Sequence, residues 1–102
     1  MARFLLIALN GPTGGEGDEQ AYNTWYDEVH KGDLMKVAGA VSVRRFKVEA
    51  ANRTDRPYVS VTEVEADSAE QVMASLQQNA SSLSDKLDTS NSIFVLAREL
   101  GA

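Results

Sequence analysis

The chemistry open to this chain turns on one imidazole. His30 is the only histidine in 102 residues, and there is no cysteine. Imidazole titrates near neutral pH, and modest burial tunes it for moving protons. His30 stands four residues after Tyr26 and eight after Tyr22. On a helix advancing about 100° per residue, with Tyr22 at zero, Tyr26 falls near 40° and His30 near 80°. That sets the ring where an aromatic face gives way to solvent. Two readings fit: a proton shuttle beside a pocket, or a cation favoured at a helix C-terminus. Asp33, three residues on, either orients the imidazole through its carboxylate or sits exposed in a turn beside Gly32. Tyr22, Trp25 and Tyr26 either wall a pocket for a flat or apolar ligand or pack as ordinary core, in which case buried phenol hydroxyls need partners. Arg44, Arg45, Lys47, Arg53 and Arg56 place five of the ten basic residues in one hairpin. They could clamp a carboxylate or phenolate, or form a solvated hairpin.

Other chemistries lack their residues. Without cysteine there are no thiolate nucleophiles, iron–sulfur clusters or cysteine-based zinc sites, and one histidine does not make a usual zinc site. A haem with His30 as axial ligand is left open by spacing alone. The Gly11–Gly17 loop has no Lys-Ser/Thr after it, and Glu16, Asp18 and Glu19 would repel phosphate. The formal charge of −5 disfavours generic nucleic-acid binding. The longest apolar run, Phe4 to Leu9, is far short of the roughly 20 residues that span a bilayer. It also starts too early and lacks a cleavage site for a signal peptide. A cytoplasmic, single-domain protein covering residues 1–102 is expected, with no membrane and no nucleic-acid partner.

The elements that would position these residues are legible in the patterning. Arg3 to Asn10 reads as a strand, apolar nearly throughout and so covered on both faces. After the glycine-rich loop, Asp18 is a candidate N-cap with Glu19 in the first turn. Tyr22, Trp25, Tyr26 and Val29 then form one apolar helical stripe. Gly32 is expected to end the regular helix, with Leu34, Met35 and Val37 in a looser turn. Ala40 to Val48 reads as a second strand with Val41 and Val43 on one face and Ser42, Arg44 and Phe46 on the other. Tyr58 to Glu65 alternates and should pair with it as an antiparallel hairpin. Ser68 and Gln71 have capping-box spacing ahead of a helix through Ala69, Val72, Met73, Leu76 and Ala80, extendable to Leu83 and Leu87. Asn91 to Leu100 supplies the last strand.

The order βαββαβ predicts an α+β, ferredoxin-like fold: a four-stranded antiparallel sheet with two helices on one face. The helices leave the other face bare although the first and last strands are apolar on both sides. A face of that size is rarely left open on a monomer. A twofold homodimer with sheets facing one another, a dimeric α/β barrel, resolves this.

The stretch from Tyr22 to Val48 resembles the small EthD-like members of the dimeric α/β-barrel superfamily. The shared elements are the aromatic pair Trp25-Tyr26, His30 four residues after Tyr26, Asp33 three beyond, Gly39 before the second strand, and Arg45-Phe46 within it. The tyrosine-led strand from Tyr58 to Glu65 also matches. Where the family often has a proline between histidine and aspartate, this chain has Lys31-Gly32. The resemblance implies a pocket between helices and sheet, commonly used without metal or organic cofactor. Relatives include polyketide cyclases, cofactorless monooxygenases, lactone isomerases and proteins without known activity. It implies that His30 acts as acid/base; on that reading Asp33 would fix its tautomer and Tyr26 or Tyr22 would hydrogen-bond a developing oxyanion. Trp25 would wall the site, and Arg45 and Phe46 would hold substrate, Arg45 at an anionic substituent. The expected activity is a lyase, isomerase or cyclase step on a small aromatic or carbonyl metabolite. Oxygen insertion into a phenol and non-catalytic ligand binding, as in a stress-associated module, are the alternatives.

Overall fold

The computed structural model describes residues 1–79 and 84–101. Its strands are β1 (Ala2–Asn10), β2 (Ala40–Lys47), β3 (Tyr58–Ala66) and β4 (Ile93–Arg98). Its helices are α1 (Asp18–Trp25), α2 (Lys31–Met35) and α3 (Ala69–Asn79). The four strands form one antiparallel sheet in the order β2-β3-β1-β4. This is the expected ferredoxin-like arrangement. No helix among the described residues is long and apolar enough to cross a membrane.

Register decides what each face of the sheet presents. Phe4 pairs with Val64, Leu6 with Thr62, and Thr62 in turn with Val43. These residues meet Tyr22, Tyr26, Leu34, Val37 and Val72 in two buried clusters, so both helical segments lie on one face. The opposite parity carries Leu5, Ile7, Leu9, Val59, Val61, Phe46, Ile93 and Val95, and no described element covers it. Phe46 and Val95 are 43% and 54% exposed there.

The largest departure from expectation lies in the first helix. Backbone dihedrals stay helical from α1 into α2, but residues Tyr26–His30 form a π-turn, in which the Lys31 N–H donates to the Tyr26 carbonyl five residues back. Gly32 therefore does not end the helix, which runs on to Met35. The wider turn lowers the angular step per residue. Val29, expected in the buried stripe, is consequently turned out and is 45% exposed. Asp18 is not the N-cap. Gly17 takes that place with a φ of 78°, and the Asp18 carboxylate instead accepts from the Thr13 hydroxyl and the Gly15 N–H and pairs with Lys86. These contacts hold its carboxyl below the usual carboxylate range, Thr13 contributing most.

The second half follows its signals more closely. The Ser68 hydroxyl accepts from the Gln71 N–H, while the Gln71 side chain accepts from the Asp67 N–H, a capping box displaced by one residue. The continuation expected through Ala80 and Leu83 lies outside the described residues. Leu87 is not helical: it bridges to Pro12 and is buried against Tyr22 and Leu6. Asn91 belongs to a 3₁₀ turn, and β4 ends at Arg98. In β2 a bulge between Ala40 and Ser42 leaves Val41 exposed while Val43 is buried.

Gly39 makes this corner possible. Its φ is 87°, and a Cβ there would lie 1.9 Å from the Glu65 carbonyl oxygen. The same close approach lets the Gly39 carbonyl accept from the Glu65 N–H at 2.9 Å. Gly39→Ala is therefore expected to destabilise the fold by about 2 kcal/mol or more. A urea-denaturation midpoint within error of the parent would contradict this account of the corner.

Candidate functional site

A cavity of about 260 Å³ lies between the helices and the sheet. Its floor follows from the register. Ser60, Ala8 and Phe94 form one row across β3, β1 and β4, beside a row of Thr62 and Leu6. Ser60 and Ala8 are short side chains, so the sheet leaves a hollow where neighbouring rows fill the space. The roof is Tyr26, His30 and Leu34 from the first helix and Leu76 from α3. Phe94 stands at the edge, 56% exposed.

The π-turn is what brings His30 to this roof. Widening one turn carries position 30 back toward the line of Tyr22 and Tyr26 and aligns residues five apart. Trp25 and His30 accordingly stack, with ring centroids 4.7 Å apart and planes 19° from parallel. Tyr26 meets the imidazole edge-on at 4.9 Å and 89°. The ring is thus held between two aromatics, as such pairs favour, and π-turns recur at functional sites.

Polar partners around the cavity are unevenly distributed. The Tyr26 hydroxyl donates to Ser60 Oγ at 2.6 Å. Tyr22 is fully buried and its hydroxyl donates to the Asn10 side-chain oxygen. Burial pushes both phenols above their ordinary pKa, strongly for Tyr22, so both stay protonated at neutral pH. Among the described residues, His30 Nδ1 and Thr62 Oγ1 are buried without any hydrogen-bond partner. Both residues line the cavity. A buried, unsatisfied polar atom costs about 1–3 kcal/mol. Both belong to side chains in the cavity wall, although neither atom is itself exposed to the void.

The expected site residues separate accordingly. His30 and Tyr26 line the cavity, and Trp25 backs His30 from behind. Asp33 acts on the imidazole through its charge, and it is not a partner of Nδ1. Tyr22 lies deeper in the core, beside Tyr26 and away from the lining. Arg45 is committed elsewhere: its guanidinium donates to Asn23 at 2.8 Å and Asp27 at 3.0 Å. It also lies 4.3 Å from the Tyr26 ring centre and near those of Tyr58 and Tyr22. Arg45 therefore clamps α1 to the sheet. Phe46 is on the bare face, under the Arg44 guanidinium, and does not reach the cavity. Ser60, Thr62, Leu34, Leu76 and Phe94 were not singled out by spacing. One signal for two of them was available: Ser60 and Thr62 are hydroxyl residues on the parity of β3 that also carries Val64 and Ala66.

His30 titrates below its ordinary range. Burial is the main cause, Arg45 adds to it, and the Asp33 carboxylate opposes both. The imidazole is therefore neutral at pH 7 and available as a base. Among the described residues no three His, Asp or Glu side chains converge as a metal site.

Comparison with known proteins supports this architecture. No family model matches the sequence, and no curated protein does. Among solved structures, the chain is similar to an EthD family protein from Bacillus halodurans, with a TM-score of 0.65 at 13% identity. That likeness covers 98% of this chain and 100% of the other. It is also similar to a dimeric ferredoxin-like protein of unknown function from Jannaschia, with a TM-score of 0.59 at 13% identity, over 93% and 97% of the two chains. The fold implied by the sequence resemblance is thus the fold the chain shares with an EthD family protein.

The depressed titration of His30 has a consequence for stability. Its folded pKa lies below an unfolded value of about 6.5. As pH falls from about 7 into that window, the unfolded chain binds the proton first, and stability declines. His30→Gln is expected to flatten the fall of the urea midpoint between about pH 7 and pH 5. An unchanged slope in the variant would assign the decline to other groups.

Proposed function

We propose that the chain is a small enzyme that moves a proton on a carbonyl-containing or phenolic metabolite, with His30 as general acid/base. The observation that carries this reading is the neutral imidazole of His30, its Nδ1 without a hydrogen-bond partner, in the wall of a largely apolar cavity. The imidazole takes a proton from a carbon next to a carbonyl. The C–H electron pair becomes the enolate double bond, and the carbonyl oxygen takes the negative charge. Ser60 accepts from Tyr26, which leaves its own hydroxyl hydrogen to meet that oxygen. The imidazolium then returns the proton to another carbon or to oxygen, an isomerisation, or to a leaving hydroxyl, a lyase or cyclase step. Asp33 steadies the transient imidazolium, and such a base contributes about 10²–10⁴-fold in rate. Neither an oxidant nor a reductant is consumed.

The bare sheet face supports a homodimer. Two adjacent rows run across it: Phe46–Val59–Leu9–Ile93, apolar from edge to edge, and Arg44–Val61–Ile7–Val95, apolar except for Arg44 at the β2 edge. Arg3 with Glu63 and Glu65 closes one end as a charged rim. A second copy presenting the same rows would bury them, in keeping with the solved structure described as a dimeric ferredoxin-like protein. The cavity lies on the opposite, helix-covered side of the sheet.

Two experiments test these readings. With a turned-over substrate, His30→Ala is expected to abolish activity while the oligomer stays folded. Full activity in that variant, binding without product, or oxygen uptake matching turnover would each overturn the proton-transfer reading. Light scattering at micromolar concentration is expected to give twice the 11.1 kDa chain mass, and Val95→Glu to give the single mass with unchanged circular dichroism. A wild-type mass of one chain would overturn the dimer.

A further inference from the structure

The floor of the cavity, read as the substrate site proposed above, also has a closed end and an open one. On the helix-facing side of β1 the side chains run Phe4, Leu6, Ala8 and Asn10, so one alanine interrupts a series of larger groups. Register sets Ser60 of β3 on one side of Ala8 and Phe94 of β4 on the other. These two flanks differ. Ser60 is buried, and the Tyr26 hydroxyl comes down on it at 2.6 Å. Phe94 lies on the outermost strand of the sheet and is more than half exposed. Among the described residues that line the cavity, it is the only exposed one. The hollow is therefore closed at the Tyr26–Ser60 pair and meets solvent at Phe94, with Ala8 between them.

The same row sets a length. Neighbouring strands lie about 4.8 Å apart, so the backbones at Ser60 and Phe94 are separated by about 9–10 Å. The volume of about 260 Å³ exceeds the roughly 150 Å³ that takes benzene and falls short of the roughly 300–1,000 Å³ of drug-sized ligands. A half-exposed ring at a mouth offers an aromatic contact to whatever passes it. Phe94 is free to do so, because Ile93 and Val95 take the opposite parity, on the bare face. We infer that Ala8 and Phe94 are the specificity-determining residues of the site. The substrate enters at the β4 edge, lies over Ala8 with its inner end toward Tyr26, and rests its outer ring on Phe94. The selected shape is an elongated, largely apolar body about two rings long.

The test uses the full chain with benzene and naphthalene as probes, their affinities measured by calorimetry. Neither probe has a proton for His30 to move, so the outcome is independent of the proposed chemistry. Ala8→Leu fills the void and is expected to keep or raise the urea midpoint while weakening both probes about tenfold or more. Ala8→Val is expected to give a smaller loss of the same kind. Phe94→Ala removes the outer contact alone, and is expected to weaken naphthalene about fivefold and benzene by less than about twofold. Parental affinities in both folded Ala8 variants, or equal effects of Phe94→Ala on the two probes, would overturn the inference and leave the ligand site standing. Binding of neither probe by the parent chain would overturn the ligand site itself.

Discussion

Everything distinctive about this molecule depends on one widened helical turn. In an unbroken α-helix, His30 would sit at the margin of the aromatic stripe and Val29 would be buried. The i→i+5 bond from Lys31 to Tyr26 exchanges these two positions. The imidazole goes inward against Trp25 and Tyr26, and the valine goes to solvent. A π-turn has poorer packing along its axis than an α-turn, and a fold retains it where a side chain must be placed that regular geometry would misplace. The aromatic stack holds the ring there, and the neutral charge state at pH 7 follows from the burial.

The sheet meets this device with a complementary deficiency. Ser60 and Ala8 lie side by side beneath the roof, and a larger residue at either position would close the hollow. The surrounding structure is correspondingly firm. Arg45 fastens α1 to β2 and β3 through Asn23, Asp27 and three tyrosine rings. The Tyr22–Asn10 and Tyr26–Ser60 hydrogen bonds satisfy the buried phenols. Against that background the two unsatisfied atoms stand out, since most buried polar groups in folded proteins have partners. The other sheet face has the reverse character: rows that are apolar except for Arg44 at the β2 edge, a surface suited to association.

Much of the fold was legible because its signals are local. Alternation in β3 and the capping box at Ser68 each follow from residues close in sequence. The histidine was legible as a lone titratable group at the edge of an aromatic stripe. Its actual placement was not, because a π-turn breaks the period on which wheel arithmetic rests and leaves no compositional mark. The same limit applies to Arg45, whose guanidinium is engaged by residues about twenty positions away on another element. Leu87 shows a third reason: a leucine at helical spacing was recruited to the core by a loop that pairs with Pro12. Ser60 and Thr62 needed the parity of β3 to be fixed before their hydroxyls could be placed on the buried face.

The central claim is that the imidazole of His30 is a buried, neutral base facing the hollow. Because the chain has one histidine, nuclear magnetic resonance of a uniformly nitrogen-15-labelled sample reports on that ring without assignment. Followed against pH, the account predicts a single transition below about 6.5 and, above it, the nitrogen shifts of a neutral ring. A transition at or above that value, with the averaged shifts of a freely exchanging ring, would contradict it.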